Sequence, residues 1–250
     1  MYLNEPTFAD IVKKQFHFKL NANAASFSAF VLMQVAAIFL ALVGNSHSFY
    51  YSSDDSLASV VTLSNDMNVG LAMAWALFLG IMLTTRIKQS ESFSFVTSRL
   101  SNHLANFQFM VFASLVAGIS VALAGSTIKL IGFLIHGEMV VYSSSFVQNP
   151  GDFLVRILTA IGYILLFFLI GYFIGSLVQL NKIFIALFVL AWILLSSING
   201  NWNGMEYAMI IIDFFGAERS ILLFILKFSG TILSLFMVSA LVTNRLEVRN

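Results

Sequence analysis

The stretch FLVRILTAIGYILLFFLIGYFIGSL (residues 153–177) contains 25 residues and a single charged side chain, that of Arg156. The hydrocarbon core of a bilayer is about 30 Å thick, and about 20 apolar residues cross it as an α-helix. The stretch shows no sustained alternation of apolar and polar residues, which a strand of a membrane barrel would need. It therefore predicts a transmembrane helix.

The chain as a whole has the composition of a membrane protein. Of its 250 residues, 59% are hydrophobic and 10% are charged, and the mean hydropathy is +0.89. Six stretches are long and apolar enough to be spans: 26–43, 68–85, 107–128, 153–177, 183–198 and 220–243. We predict an all-α polytopic membrane protein with six transmembrane helices, a transmembrane domain over 26–245, an N-terminal segment over 1–25 and a tail over 246–250.

The basic residues are distributed unevenly between the two sides of such a bundle. If the N-terminus is cytoplasmic, nine lie on the cytoplasmic side (Lys13, Lys14, Lys19, Arg86, Lys88, Arg99, Lys182, Arg245 and Arg249) and four on the outer side (Lys129, Arg156, Arg219 and Lys227). Because cytoplasmic loops carry an excess of Lys and Arg, both termini are predicted to be cytoplasmic.

An amphipathic segment precedes the first predicted span. In NEPTFADIVKKQFHFKL (residues 4–20), one face of a helix would carry Phe8, Ile11, Val12 and Phe16, and the charged residues fall elsewhere. This pattern predicts an N-terminal helix that lies in the membrane interface.

A second amphipathic segment lies between the second and third predicted spans. Phe93, Val96, Leu100 and Leu104 recur there at steps of three and four residues, with serine, threonine and asparagine between them. The spacing predicts a helix at the cytoplasmic surface. Such a helix is either a linker that rests on the lipid headgroups or a docking helix for a cytoplasmic partner, and its residues leave both possibilities open.

Residues for catalysis or for cofactor and metal binding are not predicted. The chain has no P-loop motif, no HExxH and no GxSxG, and its four histidines fall in four separate segments. The absence of cysteine excludes a disulfide scaffold, a thiolate metal site and a thiol nucleophile. We expect a non-catalytic membrane subunit without a cofactor of its own.

The N-terminal interfacial helix, the six spans with both ends inside and the run FSFVTSRLSNHLANFQF (residues 93–109) together resemble the membrane subunit of a type-2 ABC transporter, a permease class common in bacterial exporters. The resemblance implies a coupling helix at about 92–106 that docks into a groove of a separate ATPase. The docking residues would be Phe93, Val96, Arg99, Leu100 and Leu104.

The resemblance also implies the surroundings of the chain. It would lie in the bacterial cytoplasmic membrane, in contact with lipid, a second permease subunit and cytoplasmic ATP-binding subunits that hold ATP and Mg. No nucleic-acid partner is expected. The permeases of this class often carry a short helix between spans five and six, and residues 204–216 would form it here, either as a re-entrant segment or as a helix on the outer surface.

Small residues predict two close helix crossings. Gly171 and Gly175 form a GxxxG pattern in the fourth span, and Ser114, Gly118 and Ala122 repeat every four residues in the third. Lys227 lies within the last span near its outer end, where we expect it to extend to water as an anchoring charge.

The expected function is therefore that of the permease subunit of an ATP-driven exporter. Two other classes stay open at this point. A non-catalytic membrane sensor or assembly factor needs no recognisable site. An ATP-independent secondary carrier would usually have ionisable groups or broken helices at mid-membrane, and neither is seen in the sequence.

Overall fold

The computed structural model of the chain describes residues 7–44, 47–53, 56–85, 88, 98–136, 150–198, 214 and 220–246. These residues form seven helices and one β-hairpin: α1 (Phe8–Ala22), α2 (Ala24–Gly44), β1 (His47–Ser53), β2 (Ser56–Thr62), α3 (Asp66–Leu83), α4 (Arg99–His136), α5 (Pro150–Leu180), α6 (Ile183–Ile198) and α7 (Ile221–Leu246).

Five of the helices, α2, α3, α4, α5 and α7, are long and apolar enough to cross a membrane. The prediction of a membrane protein built from apolar helices is confirmed. Helix α6 has the predicted bounds but only 16 residues, fewer than the about 20 that a bilayer core requires. The sixth span stays a prediction.

The helical architecture predicted from the sequence is confirmed, and one short β-hairpin is added to it. Strands β1 and β2 pair antiparallel from His47 opposite Thr62 to Ser53 opposite Ser56, within a connector that the polar composition predicted only as a loop. Both strands carry residues that favour extended structure: Phe49 and two tyrosines in β1, and Val60 and Val61 in β2.

Helices α3 and α5 cross closely, because glycine on each helix faces the backbone of the other. A Cβ added at Gly171 would lie 2.9 Å from the Leu77 carbonyl carbon and closer still to its oxygen. One added at Gly80 would lie 2.8 Å from the Tyr172 nitrogen, and one at Gly175 would overlap the Thr84 hydroxyl. The close crossing predicted from the GxxxG pattern is confirmed, and its partner is α3.

Aromatic rings fill the centre, where α2, α3, α4 and α5 meet. The rings of Phe30 and Trp75 lie 4.5 Å apart, and Phe168 makes edge contacts with Trp75 at 6.4 Å and with Phe109 at 6.2 Å. Such edge-to-face pairs add to the stabilisation that the buried area provides. The Trp75 indole also donates a hydrogen bond to the Ser26 carbonyl at 3.0 Å, so its one polar atom is satisfied.

Helix α4 is one continuous helix of 38 residues, much longer than the span predicted at 107–128. A Cβ added at its Gly118 would lie 3.1 Å from the Ile161 nitrogen of α5, which confirms the second predicted crossing. Residues 99–106 of the predicted coupling helix are the first turns of α4 rather than a separate helix. The remainder of that segment up to residue 97 lies outside the described residues.

Helix α1 confirms that the N-terminal segment is helical, and it packs mainly on α4. Its first turn is held by a capping box in which Thr7 and Asp10 bond each other's backbone at 3.3 Å. The predicted apolar face is packed in part: Val12 is buried, Ile11 and Phe16 are half-buried, and the Phe16 ring lies 5.8 Å from that of Phe112, whereas Phe8 is exposed. Gln15 and Lys19 are also buried. Polar side chains therefore take part in the contact between α1 and the bundle.

Candidate functional site

The first turns of α4 carry the predicted docking residues that the structure describes. The side chain of Leu100 is 68% exposed and that of Leu104 is 37% exposed. Both point away from the bundle on one side of the helix. Phe93 and Val96 lie outside the described residues, and of Arg99 only the backbone is described.

The opposite side of the same turns is polar and buried. The His103 ring nitrogen Nδ1 lies 2.8 Å from the Tyr172 hydroxyl of α5, and Asn106 Nδ2 donates to the same hydroxyl at 3.2 Å. All three side chains are buried. Because a buried hydrogen bond is expensive to leave unmade, this cluster attaches the first turns of α4 to the second half of α5.

The sequence does not indicate this cluster. His103 and Tyr172 are 69 residues apart and belong to different spans. The only signal was that Asn106 falls on the side of a helix away from Leu100 and Leu104, which assigns a side of the helix but names no partner.

Two lysines lie near each other where α1 ends and α2 begins. Lys88 Nζ donates to the Ala22 carbonyl at 3.4 Å. Burial, together with the smaller effect of the Lys88 charge, lowers the pKa of Lys19 to about 8. This end of the bundle, where α1 also packs on α4, is called the α1 end below.

Lys227 of α7 contacts Phe214, which precedes this helix in the chain. Its ammonium donates to the Phe214 carbonyl at 3.2 Å and lies 4.3 Å from the centre of the Phe214 ring. These contacts fit an anchoring role, because the electrostatic field of an aromatic ring attracts an ammonium group placed over its face. Apart from Phe214, the proposed helix at 204–216 lies outside the described residues.

The part of the chain that the structure describes contains no candidate metal-binding site. Within those ranges no three His, Cys, Asp or Glu side chains lie close enough together to hold a metal ion. The chain matches no protein-family model, no curated protein and no solved structure.

Proposed function

We propose that the chain is the membrane-spanning subunit of an ATP-driven transporter, and that a separate ATPase binds at the beginning of α4. In this proposal both termini are in the cytoplasm of a bacterial cell, the α1 end faces the ATPase, and the transporter works as an exporter. The chain itself performs no covalent chemistry.

The observation that carries the proposal is the two-sided character of the first turns of α4. Leu100 and Leu104 are directed outwards, and His103 and Asn106 on the other side are bonded to Tyr172. Apolar side chains directed away from a bundle at its cytoplasmic end are suited to a partner's groove. The buried hydrogen bonds on the other side would pass a displacement of these turns on to α5.

The contact between α3 and α5 extends this path. Since glycine brings the two backbones together at Gly80 and Gly171, α5 cannot move far without α3. A push on the first turns of α4 would thus move two spans together. Such a rigid pair is what an ATP-driven change of access across a membrane requires.

The test is co-purification in lipid nanodiscs from cells of the source organism, followed by ATP hydrolysis by the purified complex. Leu100→Glu places a charge in the proposed contact, which costs several kcal/mol of association when the contact is desolvated, and should remove the ATPase. Leu134→Glu is the matched control: the same substitution on the same helix, at a side chain 74% exposed near its other end.

Retention of the ATPase by Leu100→Glu at the wild-type level would show that the beginning of α4 is not the docking site. A wild-type preparation without any ATP-hydrolysing partner would overturn the proposed function as a whole.

A further inference from the structure

Polar side chains from three helices meet on the side of α4 that faces α2 and α3. The Ser120 hydroxyl of α4 donates to Gln34 Oε1 of α2 at 2.5 Å. The carbonyl of the next residue, Val121, accepts a hydrogen bond from Asn65 Nδ2 at 3.0 Å. Two amide side chains from different helices are thus attached to consecutive residues of α4.

Asn68 completes the group. It lies in the first turn of α3, and its Nδ2 donates to Asn65 Oδ1 at 3.0 Å. Glycine leaves room for this arrangement, since a Cβ added at Gly125 would lie 2.8 Å from Asn65 Nδ2. We call Gln34, Asn65, Asn68 and Ser120 the amide junction.

Two polar atoms of the amide junction lack a partner within the described residues. Gln34 Nε2 is a donor and Asn68 Oδ1 is an acceptor, and both are buried without a hydrogen bond. The Gln34 side chain is 7% exposed and the Asn68 side chain 0%. A buried polar group without a partner is destabilising, and proteins satisfy nearly all such groups with protein or with ordered water.

We propose that the amide junction binds a small uncharged molecule or group that both donates and accepts hydrogen bonds: a hydroxyl or an amide, with water as its smallest form. The ligand would accept from Gln34 Nε2 and donate to Asn68 Oδ1. All four side chains of the junction are uncharged, so an ion bound there would lose its hydration without a counter-charge. An aliphatic ligand would leave both polar atoms unsatisfied.

This site does not depend on an ATPase partner, because it lies between three helices of the chain itself. The purified chain in lipid bilayers is therefore sufficient to test it. Failure of the docking experiment above would leave the amide junction untouched, and failure of the junction would leave the docking proposal untouched.

The first arm of the test is solid-state NMR of the ¹⁵N-labelled chain in bilayers. The side-chain amide protons of Gln34, assigned by their loss in Gln34→Met, should show magnetisation transfer from water. Those of Asn106, which are bonded to the Tyr172 hydroxyl, provide the comparison. A titration with acetamide then distinguishes a small solute from water as the ligand. A saturable shift of the Gln34 signal that is absent in Asn68→Leu would show that the site binds a small amide. Magnetisation transfer from water without such a shift would show that the ligand is water.

The second arm is thermal unfolding of Gln34→Met. Gln34→Met also removes the hydrogen bond from Ser120, so a lower midpoint alone does not report a ligand. If a ligand bridges Gln34 and Asn68, the effects of Gln34→Met and Asn68→Leu should be coupled, and the double variant should lose about 2–4 °C less than the sum of the two single losses. Gln108→Met is the matched control, because Gln108 lies on the exposed side of α4 and should shift the midpoint little.

The proposal is overturned if the Gln34 signal shows neither water transfer nor an acetamide shift. Additive losses in Gln34→Met and Asn68→Leu would also overturn it, because two side chains that share no ligand affect stability independently.

Discussion

Replacement of Gly171 by alanine tests whether α3 and α5 are in backbone contact. The added methyl would lie 2.9 Å from the Leu77 carbonyl carbon and 3.0 Å from the Leu77 Cα, with the carbonyl oxygen closer still. Ordinary contacts between carbon atoms lie at about 3.5–4.0 Å. Because the atoms met are backbone, no side-chain rotation relieves the overlap, and the two helices must separate by roughly 1 Å.

The expected loss follows from this separation. Overpacking of a well-packed contact typically destabilises by about 1–3 kcal/mol, and a gap of 0.5–1 Å forfeits about a quarter to a half of the dispersion energy across it. Alanine in place of glycine also favours the helix by about 0.8–1 kcal/mol. Gly230→Ala in α7 has the same helical benefit and no atom within 4 Å of the new methyl. The difference between the two variants therefore isolates the steric effect, which we expect to be about 1–3 kcal/mol.

The assay is reversible unfolding of each variant in bicelles, with the steric-trap method or with increasing SDS. Gly171→Ala should unfold more readily than wild type, whereas Gly230→Ala should be unchanged or slightly more stable. Equal unfolding free energies for the two alanine variants would refute the backbone contact between α3 and α5.

Three further outcomes are expected. Burial lowers the pKa of Lys19 from its usual 10.5 to about 8 in the folded chain. Between these two values the unfolded state binds more protons than the folded state, so the free energy of unfolding rises as the pH increases from about 8 to 10.5. The advantage of Lys19→Met over wild type, roughly 1–3 kcal/mol at pH 7, should therefore shrink by pH 10 in thermal unfolding, and a pH-independent advantage would contradict the burial of this ammonium. Tyr172→Phe leaves two buried partners without their hydroxyl and should lose about 1–3 kcal/mol; added Asn106→Leu should restore part of this, and no restoration would argue against their shared hydrogen bond. Because the chain has no cysteine, single-cysteine variants at Ser94 and Ser53 can be labelled directly: the first should react only from the cytoplasm and the second only from outside, and the reverse pattern would invert the proposed orientation.

Five of the six predicted spans coincide with helices long and apolar enough to cross a membrane, because length and hydropathy alone define such helices. Helix α5 begins and ends within three residues of the predicted stretch. The GxxxG pattern at Gly171 also predicts a close helix crossing, although it does not identify the second helix. The partner itself was not predictable, since Gly80 lies in another span and no local pattern joins the two. The same limit applies to Tyr172, whose contact with His103 depends on how two helices rotate against each other.

The sequence patterns also missed one β-hairpin and part of the amide junction. The strands β1 and β2 were missed because the many serine and aspartate residues of this connector favour turns, which outweighs the strand preference of the aromatic residues and valines between them. Asn65 and Asn68 were missed because polar residues at the edge of a span are typical of a loop. Gln34 of α2 accepts a hydrogen bond from Ser120 of α4, and the orientation of its Nε2 depends on how the helices pack, which no local pattern encodes.

The glycine contact between α3 and α5 also has a consequence for the synthesis of the chain. Gly171 follows Gly80 by 91 residues. Because a ribosome adds roughly 5–20 residues per second, about 5–20 s pass between the synthesis of Gly80 and that of Gly171. During that interval its glycine face is open to any neighbouring helix in the insertion machinery. In the folded chain α3 also packs on α2, which is made before it, and on α4, which is made in between. Slower translation across residues 99–136 would lengthen the period in which a wrong pairing of α3 can form.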